Sequence, residues 1–144
     1  MNEATDAGIH WSFWVISVVA LLWNLMGAVN FVAQMSADLV ATYPETHRAI
    51  IEGRPAWATT AFAAAVFGGA LGCLLLLFRN SSAFYLFVAS LLGVIVTMVH
   101  TLAVARSAIE FSLFESVMMM LMPLVVAAFL VWYSQRAENQ GWLR

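Results

Sequence analysis

The 144-residue chain is 63% hydrophobic and 10% charged, where an ordinary soluble domain carries about 25% charged residues. All six basic residues are Arg, eight acids bring the formal charge to −2, and Cys73 is the single cysteine. These values exclude a basic nucleic-acid surface, an intramolecular disulfide and a cysteine-rich zinc site, and they define an integral membrane protein.

Four stretches contain no charge: residues 11–35, 56–78, 83–105 and 116–135. At about 1.5 Å per residue, roughly 20 residues cross the ~30 Å hydrocarbon layer. Backbone groups left unpaired in lipid are costly, and these long continuous apolar runs lack the alternation of barrel strands. The expectation is an all-α polytopic protein: one membrane domain over 1–144, folded as a four-transmembrane-helix bundle. The longest piece outside the spans, residues 36–55, is far below the ~40 residues that an independent soluble fold needs.

The first span resembles a signal peptide only superficially. Glu3 and Asp6 precede it without a basic residue, the apolar run is too long, and no small-residue cleavage site follows. It is therefore expected to be retained. Ser17, Asn24 and Gly27/Ala28 share one face, and mid-membrane Asn24 needs a partner. A hydrogen bond to a neighbouring helix, worth only ~1 kcal/mol, is the plainer reading; a selectivity group facing the bundle axis is the functional one.

In the first loop, Pro44 and Glu45 suit a helix start, Ile50 and Ile51 give it an apolar side, and Gly53 and Pro55 stop it. A short interfacial helix is expected there. In the second span Ala64, Gly68 and Gly72 recur every four residues, as do Ala65, Gly69 and Cys73. These small ridges predict close packing, mainly within the chain, although they could instead face another subunit.

A tight turn at residues 79–82 leads into the third span, where Ser90, Gly93, Thr97 and His100/Thr101 share a face. His100 is the only ionisable residue well inside a span, roughly 7–8 Å below its boundary. Intramembrane ionisable groups mark functional sites by default, and histidine titrates near neutrality. Asn30, Gln34, Thr59, Thr60, Thr97, Thr101, Glu110 and Glu115 fall at similar depth or at the same surface, and would line a small outward-facing polar pocket. The bland alternative, a neutral His100 bonded to a neighbouring helix, is the favoured one.

The fourth span carries Pro123, which removes a backbone hydrogen bond and is expected to bend the helix. Met118 and Met122 stand one turn apart. Soft thioethers ligate Cu(I), which makes this pair with His100 a weak metal candidate; apolar filling is the ordinary role of Met. No cofactor is expected. Bis-histidine haem lacks a second well-placed His, no mid-span carboxylate exists for proton antiport, and no phosphate loop or nucleophile elbow is present. An enzyme is not expected.

Arg counts do not separate the two sides: Arg79, Arg136 and Arg144 fall on one, Arg48, Arg54 and Arg106 on the other. The tight turn and the longer, acid-bearing first loop favour cytoplasmic termini. At Trp23-Asn24-Leu25-Met26-Gly27, Phe67-Gly68-Gly69-Ala70-Leu71-Gly72-Cys73-Leu74-Leu75 and Gly141-Trp142-Leu143 the chain resembles a family of small four-span bacterial inner-membrane proteins, some named sugar transporters. The resemblance implies a bacterial inner-membrane location and this topology, and assigns no site residue. Two roles stay open. One is a non-catalytic accessory or structural subunit, in a homo-oligomer or a larger membrane complex. The other is a small oligomeric transporter or channel with a path past Asn24, Asn30, Thr97 and His100.

Overall fold

A computed structural model describes residues 8–108 and 112–144, with backbone alone for 104–108. The regular structure of the described residues is all helical, with no strand among them. The elements are α1 (Trp11–Ala33), α2 (Ala37–Val40), α3 (Glu45–Glu52), α4 (Ala56–Leu77), α5 (Ala83–Ala108), α6 (Leu113–Ser116), a π-helical turn (Val117–Leu121) and α7 (Met122–Asn139). Four of the helical runs have the length and apolarity to cross a membrane: Trp11–Ala33, Ala56–Leu77, Ala83–Ala103 and Leu113–Asn139. The chain is thus a multi-pass membrane bundle, and α3 supplies the short helix expected in the first loop.

Helix α4 packs against α5 most extensively and then against α1, while α7 packs on α5. Small residues make this possible, because lipid offers no hydrophobic force for assembly and backbones must approach closely. The two ridges of α4 divide between its two neighbours. A Cβ on Gly72 would lie 2.7 Å from the Phe87 ring, and one on Gly68 would touch the α5 backbone at Leu86. A Cβ on Gly69 would instead collide with the amide of Asn24 on α1. From the other direction, Gly93 of α5 sits so close to α4 that a Cβ would come within 2.5 Å of the Ala61 carbonyl oxygen and 2.8 Å of the Ala65 nitrogen. The ridges are therefore used within the chain.

The end of the bundle where α1 begins and α7 ends is closed. Phe13, Cys73, Leu76, Phe87, Leu130, Tyr133 and Leu143 belong to one buried cluster. The ring of Phe13 lies 6.4 Å from that of Tyr133 and 5.8 Å from that of Trp142. Two helix C-termini are stitched together here. Arg79, left-handed at φ 59°, follows α4, and Asn80 N donates to Leu75 O at 2.8 Å. Gly141, at φ 74°, follows α7, and Trp142 N donates to Ala137 O at 2.9 Å. Both are Schellman endings, which satisfy carbonyls that a helix terminus otherwise leaves open. They are joined by Arg144 N to Arg79 O (2.7 Å), Ser81 N to Arg144 O (2.9 Å) and Arg79 Nε to Trp142 O (2.8 Å).

The opposite end is looser. Ser112 and Glu115 form a reciprocal capping box that starts α6. Pro123 has no N–H to give and its ring crowds the carbonyl four residues back. The helix accommodates it by widening rather than by a simple bend: Met122 N donates to Val117 O, five residues earlier. Across the bundle, α1 and α7 make no extended contact with each other.

Candidate functional site

Where α1 and α7 part, the loop-end half of the bundle encloses a cavity of about 420 Å³, within the range of small-molecule sites. One wall is α1 with Asn24, Gly27 and Asn30, and the back is Ala65 and Val66 of α4. The next wall is α5 with Ser90, Val94, Thr97 and Thr101. The facing wall is apolar: Met118, Met119 and Met120 of the π turn, then Pro123, Val126 and Ala127. Phe87 and Leu130, both buried, form the floor, and Ile50 of α3 with Arg54 forms the roof. The rims are Met26 and Asn30 on α1 and Met118 and Met119 opposite, all exposed, so the cleft opens sideways between the first and last spans.

The polar groups are unevenly distributed. Thr97 and Thr101 donate to carbonyls one turn back on their own helix, at Gly93 and Thr97, and Ser90 donates across to Ala65 O on α4. Their hydroxyl oxygens keep acceptor capacity toward the cavity. Asn24 Nδ2 donates to Ala20 O at 2.9 Å and to the Cys73 thiol at 3.7 Å.

At the roof the balance is different. Arg54 Nε and Nη1 are shielded from solvent and have no hydrogen-bond partner, and Gln34 Oε1 is in the same state. Arg54 makes no ion pair among the described residues. Among the described residues it is compensated by the face of Phe62, 5.0 Å from the guanidinium carbon. Burial accordingly pushes the Arg54 pKa below its ordinary value.

Of the residues singled out from sequence, Asn24, Asn30, Gln34, Thr97 and Thr101 meet in this cavity, and His100 does not. His100 is buried at 7% exposure, with its ring edge-on to Trp57 of α4 at 5.6 Å. Being three residues beyond Thr97, it points to the α4 flank of α5 rather than to the axis. Thr59 and Thr60 are also outside, donating to Pro55 O and Ala56 O. Glu115 is taken up by the capping box instead of the pocket wall. Glu110 lies outside the described residues.

Met118, Met119 and Met120, in the π turn, line the cavity, and Met122, which follows it, does not. No group of three His, Cys, Asp or Glu is arranged for a metal among the described residues. Arg54 and Phe62 were missed by sequence reasoning. One signal was available: Arg54 precedes Pro55, the N-cap of α4, where the helix dipole disfavours a cation.

Comparison with protein-family models, with curated proteins and with solved structures returns no match for the chain.

Proposed function

We propose that this protein is a non-enzymatic, multi-pass protein of a bacterial inner membrane that admits a small molecule into the cleft between α1 and α7, as the binding element of a small transporter. Both termini are placed in the cytoplasm, from the tight turn at residues 79–82 and the acid-bearing first loop. The resemblance to four-span bacterial inner-membrane proteins supports the location. The observation that carries the reading is the cavity itself: polar on two walls, apolar on the third, and stopped by Phe87 and Leu130. Such a shape holds a ligand from one side and does not conduct as an open channel.

Cysteine labelling tests it. Asn30→Cys and Thr97→Cys should react with a methanethiosulfonate reagent added from the loop side. Ser17→Cys, beneath the floor, should stay inert, as should native Cys73, which is fully buried. An accessory subunit with a partner helix seated in the cleft predicts something else: protection of both positions in membranes and reactivity only in purified monomer. Inert side chains in both settings overturn the chamber.

A further inference from the structure

The chemistry of the roof specifies what the cleft accepts. We propose that it binds a single-chain acyl anion, with the head at Arg54 and the tail along the methionine wall. This rests on the reading of the cleft as a binding chamber.

A desolvated cation without a counter-charge is costly, and natural proteins pair such groups or hydrogen-bond them fully. Arg54 lines the cavity roof, and two of its guanidinium nitrogens, Nε and Nη1, are shielded and have no hydrogen-bond partner. A planar fork of donors matches a carboxylate or phosphate bidentately. The Phe62 ring, 5.0 Å from the guanidinium carbon, supports one face of the group and leaves its donors without an acceptor. Below this point the facing wall becomes Met118, Met119 and Met120, then Val126 and Leu130. Thioether side chains adapt to a flexible chain without demanding one shape.

The cleft is open along the bilayer rather than only at its surface, so a tail can enter without leaving hydrocarbon. Arg54 lies two residues before the span that begins at Ala56, close to where a lipid-borne head would reside. The volume of about 420 Å³ is at the lower end of small-molecule sites, which favours one chain over two.

The test uses full-length protein in zwitterionic nanodiscs and a diazirine-bearing dodecanoate, with photo-labelled peptides mapped by mass spectrometry. The expected result is labelling of the 118–130 segment that excess dodecanoate suppresses and dodecanol does not. Dodecyl phosphate competing as well assigns recognition to the anion generally; its failure assigns it to the carboxylate. Arg54→Gln should reduce cavity labelling about tenfold, with labelling of the lipid-facing Val18–Leu22 surface unchanged as a folding control. Arg54→Lys should recover part of it.

If Arg54→Gln does not fold, the competition series on the wild-type protein decides alone. Equal competition by dodecanol, or an Arg54→Gln cavity labelled like wild type, overturns the acyl-anion assignment. Absent cavity labelling with Asn30→Cys and Thr97→Cys still reactive overturns it too, and leaves the chamber standing. Loss of cysteine reactivity as well removes both.

Discussion

The amide of Asn24 on α1 occupies the space that a side chain on Gly69 of α4 would fill. The two residues are one device: the glycine creates the recess, and the amide uses it to reach the Cys73 thiol. Gly69→Ala must displace the amide and should cost about 1–3 kcal/mol, as over-packing does. Asn24→Ala alone should cost about 1 kcal/mol. The double variant should be markedly more stable than the sum of the two, because its new methyl group enters vacated space. Unfolding in mixed micelles reads all three; simple additivity would refute the coupling.

Gly93 and Gly68 lie on the same α4–α5 seam and should respond differently. An added methyl at Gly93 meets α4 backbone, which cannot rotate away, whereas at Gly68 the nearest atom is a tolerable 3.4 Å off. Gly93→Ala should destabilise by about 1–3 kcal/mol. Gly68→Ala should be near neutral, its contact offset by a helix-propensity gain of up to about 1 kcal/mol. Matched melting curves check the contrast.

Arg79 performs two tasks that substitution can separate. It adopts a left-handed conformation and donates to Trp142 O. Arg79→Ala keeps the strain and loses the bond, while Arg79→Gly loses the bond and removes the strain. Glycine should therefore be the milder replacement by about 1 kcal/mol. If alanine proves equal or better, the turn is not held in the left-handed state.

Pro123→Ala restores an N–H and lets the π turn close to an α-helical one. The methionine face would then rotate, and the reactivities of Met118→Cys and Met122→Cys should shift relative to each other. Identical labelling patterns with and without Pro123 would show that the wide turn has another cause.

Arg54→Met should raise the melting temperature of ligand-free protein, since it removes an unpaired, partly buried cation. Burial lowers the folded pKa of Arg54 relative to the unfolded chain. The penalty is thus present in full at every pH below that depressed value and lifts only in strongly alkaline solution. The gain should be flat across about pH 6–9. A fall in melting temperature would mean that the guanidinium is satisfied by a group of the protein.

The spans and the short loop helix were legible because each depends on local pattern: charge-free length, and Pro and Gly at the boundaries. The convergence of Asn24, Asn30 and Thr97 was legible from helical spacing combined with topology. His100 was misplaced because depth does not determine direction; its flank of α5 faces Trp57. The part of Met119 and Met120 in the cavity wall was not legible, because sequence spacing does not reveal the π turn that precedes Pro123. Arg54 escaped notice as one loop charge among several, since burial of a guanidinium beneath α3 is a tertiary event.

The stitched ending around Arg79 and Trp142 gives the bundle the geometry of a pair of tweezers. Its arms are α1 and α7, and its pivot is the stacked rings of Phe13 and Tyr133. From Phe13 to Asn30 is about 25 Å of helix, so a tilt of about 5° at the pivot moves the tip by about 2 Å. Those rings share one buried cluster with Phe87 and Leu130 of the cavity floor, so a change of packing at the closed end is felt at the mouth of the cleft.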